Sequence, residues 1–490
     1  MDQYANILLS FPPQGDDPIV DNEDYHKTAQ LHVQLLEDML KEHTRDLVTC
    51  STELLNVVDP AVNSLSHLTI LHALVFPSLA STVPQEFILE QVVTFMMTFD
   101  GRQCRYAGSL LLNLMEAVGN GRLLPPTVAV EALATAILRL EPAGTLLTSS
   151  HVLLARLAYE TNNIQPALPV IDKPIVFYPG MVHHDASRLL CDPDLPPFLY
   201  ISKDTGLTAP LKSPIVLEYD LLCGMMFCAR RDWDKARIAF ERVVSYPTKS
   251  DGCSKLMVDA YKKWILVSLL ASGRHTTAPP HTITSTVKTF ETLAGPYLNL
   301  ATAFTTDDVQ QLKLEAEKNT QLWIEDGNVG MLAEVMASYQ KWRIVSLQQT
   351  YTKISMSEIR QQTKSAGTGA ALDRDEDVEK LLENMIEAGM LKGAIEKSDN
   401  GMKFLIFLSP STNLSEEEFE NEIQRATANI KQLQLIHRAT NLRLGTSKEY
   451  IKWAMRETVR DNKREWPEDL TLGFDAKVDD EDLMGGLTTI

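Results

Sequence analysis

Between Asp24 and Met115, apolar side chains recur at spacings of three and four residues, and the alternation that marks a half-buried strand is missing. In LHVQLLEDML, Leu31, Leu35, Leu36, Met39 and Leu40 form one stripe, which predicts a helix with that face turned to a core. NSLSHLTILHALV, EFILEQVVTFMMTF, RYAGSLLLNLMEAV, TVAVEALATAILRL and TSSHVLLARLAYE repeat the habit and are separated by Gly, Pro or Asn. Helix after helix with no strands between them predicts antiparallel hairpins stacked into an α-solenoid. In such an array each pair buries its apolar face only against its neighbours.

The clearest repeat unit is EYDLLCGMMFCARRDWDKARIAFERVVSYP, Glu218 to Pro247. Gly224 sits where a first helix must approach a second closely, Trp233, Ala236, Phe240 and Val243 recur on the second, and Pro247 stops it. The spacing is that of a tetratricopeptide-like (TPR-like) hairpin, though an ordinary hairpin in a bundle would carry a similar pattern. From Gln165 to Pro214 nine prolines break the helical rhythm, and about Cys191 to Ser213 is expected to be a mobile surface insertion.

The character changes after Arg343. Ser355 and Glu358 stand at capping-box spacing, and a Gly-rich stretch, SAGTGAALD, follows. A strong helix is then expected from about Asp375 to Ala388, on Val378, Leu381, Leu382, Met385 and Ile386, with Gly389 at its end. Two short apolar segments, MLKGAIE and GMKFLIFL, joined by KSDNG, predict a β-hairpin with Asn400-Gly401 in its turn. Helices followed by a hairpin make a winged helix. In the second strand Met402, Phe404, Ile406 and Leu408 face one way and Lys403, Leu405 and Phe407 the other, so both sides are apolar. Leu405, Phe407 and Phe404 are therefore candidate subunit-interface residues, with the strand's free edge open to a neighbour. The alternative is that the chain's own C-terminal helix covers the second face. From Ser415 onward Phe419, Ile423, Ala426, Ile430, Leu433 and His437 alternate four and three apart, the seam of a bundle or coiled coil. Phe419, Ile423, Ile430 and Leu433 are expected to dock on other helices, or else to fold back on the same chain. The expected division is a flexible N-terminus (1–23), a helical-repeat array (24–343), a winged helix (344–410), C-terminal bundle helices (411–460) and an acidic, disordered tail (461–490).

Composition narrows the function. At 490 residues the chain exceeds what one core usually supports, and 44% hydrophobic residues are ample for packing. No apolar run approaches the ~18 to 20 residues of a bilayer span, and the start has acidic Asp2 where a signal peptide needs positive charge. A net charge of −19 disfavours phosphate backbones and anionic lipid, so neither nucleic acid nor membrane is an expected partner. The winged helix does not reverse this, because its third helix carries Asp375, Glu376, Asp377, Glu379, Glu383 and Glu387 against Lys380 alone. Six scattered cysteines without a CxxC pair fit reduced thiols in an intracellular protein, and Cys223 and Cys228 read as core. His183 and His184, adjacent on an extended segment, point apart and make a poor zinc pair. HExxH and a phosphate-cradling loop are both absent from the sequence, so no catalytic residue, metal or cofactor is expected. Trp264, Trp323 and Trp342 read as core.

A helical array leading into a winged helix and a C-terminal helix resembles the PCI-domain proteins. These are scaffold subunits of the proteasome lid, the COP-nine signalosome and the translation initiation factor three complex. The resemblance is carried by QPALPVID, RDWDKARIAFERVVSYP, VDAYKKWILVSLLASGR, DGNVGMLAEVMASYQKWRIVSL, TKISMSEI and EKLLENMIEAGMLKGAIEKSDNGMKFLIF, and within the family it is similar to the signalosome's third-subunit branch. It covers about Leu31 to Leu408; the Cys191–Ser213 stretch and SAGTGAALD look longer than the family's usual connections. What it implies is a non-catalytic scaffold of a complex that removes Nedd8 from cullin-RING ligases, active in cytoplasm and nucleus. Its implied partners are other signalosome subunits, with neighbours resembling the first and eighth, and indirectly the cullin-RING ligases. Such subunits join winged-helix hairpins edge to edge and gather their C-terminal helices into one bundle. A proteasome-lid scaffold is the alternative; a winged-helix nucleic-acid-binding protein is less favoured.

Overall fold

A computed structural model describes residues 2–12, 22–76, 83–178, 189–247, 253–276, 278–306, 308–398, 402–408, 416–447, 450–453 and 455–456. The chain divides into two compact units, Met1–Asn429 and Ile430–Ile490. In the first, helices Asn22–Glu42, Ser64–Val75, Gln85–Thr98, Gly108–Gly119, Pro126–Leu140 and Ser149–Glu160 pack layer on layer. The order then continues through Ser213–Ala229, Trp233–Val244 and Lys255–Ser272. The fold is mostly helical, an α-solenoid leading into a winged helix and a long C-terminal helix.

The TPR-like pair is built as its residues dictate. A Cβ on Gly224 would lie 2.5 Å from Phe240 Cε1, so only glycine lets the Ser213–Ala229 and Trp233–Val244 helices come this close. Ala236, Phe240 and Val243 are buried at the contact. The buried Asp220 pairs with the half-exposed Arg242 at 3.0 Å across the same two helices.

Four expectations are corrected. In the Asn22–Glu42 helix the buried stripe is Tyr25, Ala29, His32, Leu36 and Met39, while Leu31 and Leu35 are 62% and 51% exposed. The helix is rotated because His32, polar in sequence, is satisfied inside: its Nε2 lies 3.0 Å from Ser66 Oγ and its ring stacks on Phe11. Residues 2–12, part of the stretch expected to be a flexible lead, are likewise packed. Leu8 and Phe11 are buried, and Ser66 Oγ and Asn63 Nδ2 donate to the Leu8 and Phe11 carbonyls at 2.7 and 2.6 Å. The stretch Cys191–Ser213, expected as a mobile loop, is packed, with Cys191, Phe198, Leu199, Tyr200, Ile201 and Leu207 buried. Arg102 and Arg105 hold its start by donating to the carbonyls of Cys191, Leu190 and Asp192, and Tyr200 donates to Leu140 O at 3.1 Å. Its prolines forbid long helices but leave apolar side chains free to fill the side of the array. Finally, Trp264 and Trp323 are core as read, whereas Trp342 is only half-buried.

The winged helix contains the helices Met356–Gln362 and Asp375–Glu387 and three strands, β1 (Lys353–Ser355), β2 (Gly393–Lys397) and β3 (Lys403–Phe407). The Val329–Leu347 helix leads into it and lends Ile344 to its core, with Ile354, Met356, Ile359, Val378, Leu382, Met385, Leu391, Leu405 and Phe407. Ser355 and Glu358 form a reciprocal capping box. Gly389, at φ +69°, ends the Asp375–Glu387 helix, and the Met390 amide donates back to Met385 O in the six-to-one bond of a Schellman turn.

Candidate assembly interface

The sheet order is β1-β3-β2, antiparallel throughout, with Ile354 opposite Leu405 on one side and Ile395 opposite Leu405 on the other. β3 is thus the central strand, with both edges paired. The expected free edge of β3 does not exist, because β1, a three-residue strand, occupies it. Leu405 and Phe407, named from sequence as interface residues, are 0% and 8% exposed in the chain's own core. Period-two alternation was read correctly, but their face is covered by the winged helix itself. The edge among the described residues that lacks a partner and runs five residues is the outer edge of β2.

Phe404 stands on the opposite face. With Ile406 it is partly exposed, and Met402 and Leu408, 54% and 39% exposed, extend the strip at both ends. Lys353 Nζ lies 4.9 Å from the centre of the Phe404 ring and pairs with Glu396 at 3.4 Å, so one cross-strand bridge spans the apolar strip. Beside the sheet, Arg360 Nε contacts Asp375 at 3.1 Å and Lys403 pairs with Glu379. Asp375, Glu376 and Asp377 fill the first turn of their helix, where its dipole favours negative charge. The acids that would repel a phosphate backbone therefore have a structural reason to be there.

The second candidate surface is the helix Glu416–Thr446, 31 residues long. Phe419, Ile423, Ile430 and Leu433 are 56%, 49%, 55% and 63% exposed. A seam of large apolar residues at four-three spacing stands open to solvent along its length. Asn400-Gly401, His183 and His184 lie outside the described residues. Among the described residues no group of His, Cys, Asp and Glu could hold a metal, and no helix is long and apolar enough to cross a membrane. Burial pushes the Cys223 and Cys228 thiols up to about 12, so neither is a ready nucleophile.

A family model described as COP9 signalosome complex subunit 3, N-terminal helical repeats, matches residues 24–192 and 194–287. The chain belongs to the COP9 signalosome subunit 3 family. A curated relative from Neurospora crassa, named COP9 signalosome complex subunit 3, is 40% identical over 99% of both chains. One of the same name from Emericella nidulans is 29% identical over 92% of each. The family model covers the stretch from Cys191 onward almost without a break, in keeping with its packed state as part of the array.

Proposed function

We propose that this chain is a non-catalytic scaffold subunit of the COP9 signalosome, the complex that removes Nedd8 from the cullins of cullin-RING ligases in cytoplasm and nucleus. The observation that carries the reading is the near full-length match to a signalosome subunit 3, which includes the winged helix and the C-terminal helix as well as the repeats. Two surfaces suit assembly. The outer edge of β2 offers unpaired backbone groups for β-augmentation by a neighbouring winged helix, and the strip Met402, Phe404, Ile406, Leu408 offers an apolar face beside it. The seam Phe419, Ile423, Ile430, Leu433 is ready to enter a helical bundle. Leu405 and Phe407 serve indirectly by fixing β3 in register. The neighbours are expected to resemble the first and eighth signalosome subunits.

The test is a tagged full-length chain purified from its own cells with quantitative mass spectrometry. Wild type brings down signalosome subunits, and Phe404→Asp combined with Ile406→Asp releases the adjacent winged-helix subunits while the helical array stays folded. A wild-type preparation enriched in proteasome-lid subunits instead would overturn the proposal. So would one zinc per purified chain, or cleavage of a Nedd8 conjugate by the chain alone.

A further inference from the structure

A cleft of about 850 Å³ opens between the turn of the TPR-like pair, the Val329–Leu347 helix and the turn at residues 388–390 that leads toward β2. That volume lies within the ~300 to 1,000 Å³ of sites that enclose a small ligand or a few side chains. Its apolar lining comes from Trp233, Leu270, Trp342 and Met390, and both indoles are half-buried. Trp342 also walls a second recess of about 300 Å³, which Arg274 lines. The chain carries a net charge of −19, yet the charges here run the other way. Arg230 donates to the neutral amide of Gln165, and the Lys341 and Arg274 side chains have no hydrogen bond or ion pair among the described residues. Of the acids, Glu334 is taken by Arg231 at 2.6 Å and Asp232 by Lys235 at 3.3 Å. Arg230, Lys341 and Arg274 thus keep their charge uncompensated, against Asp234 alone. The cleft is also preformed. Arg231 sits at φ +60°, a left-handed conformation that glycine would adopt without strain, and its bond to Glu334 ties the turn to the Val329–Leu347 helix.

We propose that this cleft is a docking site for an acidic linear segment of another protein. One aromatic side chain of that segment packs on Trp233 and Trp342, and its flanking carboxylates meet Arg230, Lys341 and Arg274. Both halves of the lining are needed for the assignment. A phosphate backbone would use the cations and leave Trp233, Leu270 and Met390 uncovered, whereas a purely apolar segment would leave three cations without a counter-charge. The site uses neither β2 nor β3, so it is separate from the winged-helix edge.

The experiment is a fluorescence-anisotropy titration of the full chain with a fluorescein-labelled peptide in which one tryptophan lies between two runs of aspartate. Binding should saturate and weaken as salt is raised. It should fall at least about tenfold when Arg230→Glu is combined with Lys341→Glu, or when asparagine replaces the peptide's aspartates. Replacing the peptide's tryptophan by alanine should cost a similar factor. Arg230 is exposed and Lys341 half-buried, so the double variant should keep the wild-type thermal midpoint. Independently of any such variant, p-benzoylphenylalanine placed at position 337, exposed in the cleft, should capture the labelled peptide on illumination. The proposal is overturned if the wild type shows no saturable binding, or if the double variant, the asparagine peptide or the alanine peptide binds as tightly. It is also overturned if position 337 captures nothing while the anisotropy saturates, or if an oligothymidylate of equal charge competes as well as unlabelled peptide, which would make the cleft a phosphate site.

Discussion

Leu405 and Phe404 are adjacent in β3 and face opposite ways, so truncating each should have opposite consequences. Leu405 is fully buried among Ile354, Ile359, Leu382 and Met385. Leu405→Ala removes three buried carbons, about 2 to 3 kcal/mol of transfer free energy, and adds a cavity the strands cannot close, for a total of about 2 to 5 kcal/mol. Phe404 is partly exposed, and its contact with Lys353 at 4.9 Å is worth only about 0.5 to 1 kcal/mol at such a site. A chain of this size does not unfold in one step, so the assay is native-state hydrogen exchange at the β3 amides. A loss of 2 kcal/mol raises the opening equilibrium about 30-fold, so exchange in Leu405→Ala should accelerate by at least that factor. Phe404→Ala should change it by about fivefold or less and instead weaken retention of neighbouring subunits. Unchanged exchange in Leu405→Ala, or the larger acceleration in Phe404→Ala, would refute the assignment of the two faces.

Gly224→Ala should destabilise the repeat pair by about 1 to 2 kcal/mol. Overpacking against Phe240 outweighs the ~1 kcal/mol gain in helix propensity, and the shift is read as a lower thermal midpoint. Burial raises the Glu141 carboxyl to about 7 against 4.5 in a free chain, although its Oε1 accepts from the Thr145 and Leu146 amides at 2.6 and 3.1 Å. Its contribution is full below about 4.5 and is lost as pH rises through 7, so wild-type stability should fall across that window, and Glu141→Gln, which keeps the accepting oxygen, should flatten the curve. Ser355→Ala should cost about 1 kcal/mol by removing the capping box, seen as faster exchange in the Met356–Gln362 helix.

Much of this architecture was legible in the residues, and the exceptions share a physical cause. The Pro126–Leu140 and Ser149–Glu160 helices carry one apolar face with clear stops, and Ser355, Glu358 and Gly389 mark helix ends by local chemistry that needs no tertiary context. Tertiary context decided the rest. In the Asn22–Glu42 helix two overlapping sets of apolar residues compete, and hydrogen bonds between His32 and the distant Ser10 and Ser66 choose between them. β1 has three residues, too few to show a period, yet by pairing with β3 it moves the open edge to β2 and turns Leu405 and Phe407 from surface into core. Residues 191–213 are rich in proline, which speaks about backbone and is silent on whether Phe198, Leu199 and Tyr200 find a surface to fill. On the Glu416–Thr446 helix the seam was visible because spacing alone reveals it, and Phe419, Ile423, Ile430 and Leu433 are exposed along it.

The central claim is that the C-terminal helix joins this chain to other subunits rather than bracing it internally. The direct test compares full-length protein with a chain ending at Thr412, each expressed in cells at matched levels and purified by the same tag with quantitative mass spectrometry. The truncated chain should remain folded and hold its winged-helix neighbours, while recovery of the complete complex falls several-fold. Equal recovery of the complete complex by both chains would contradict the claim.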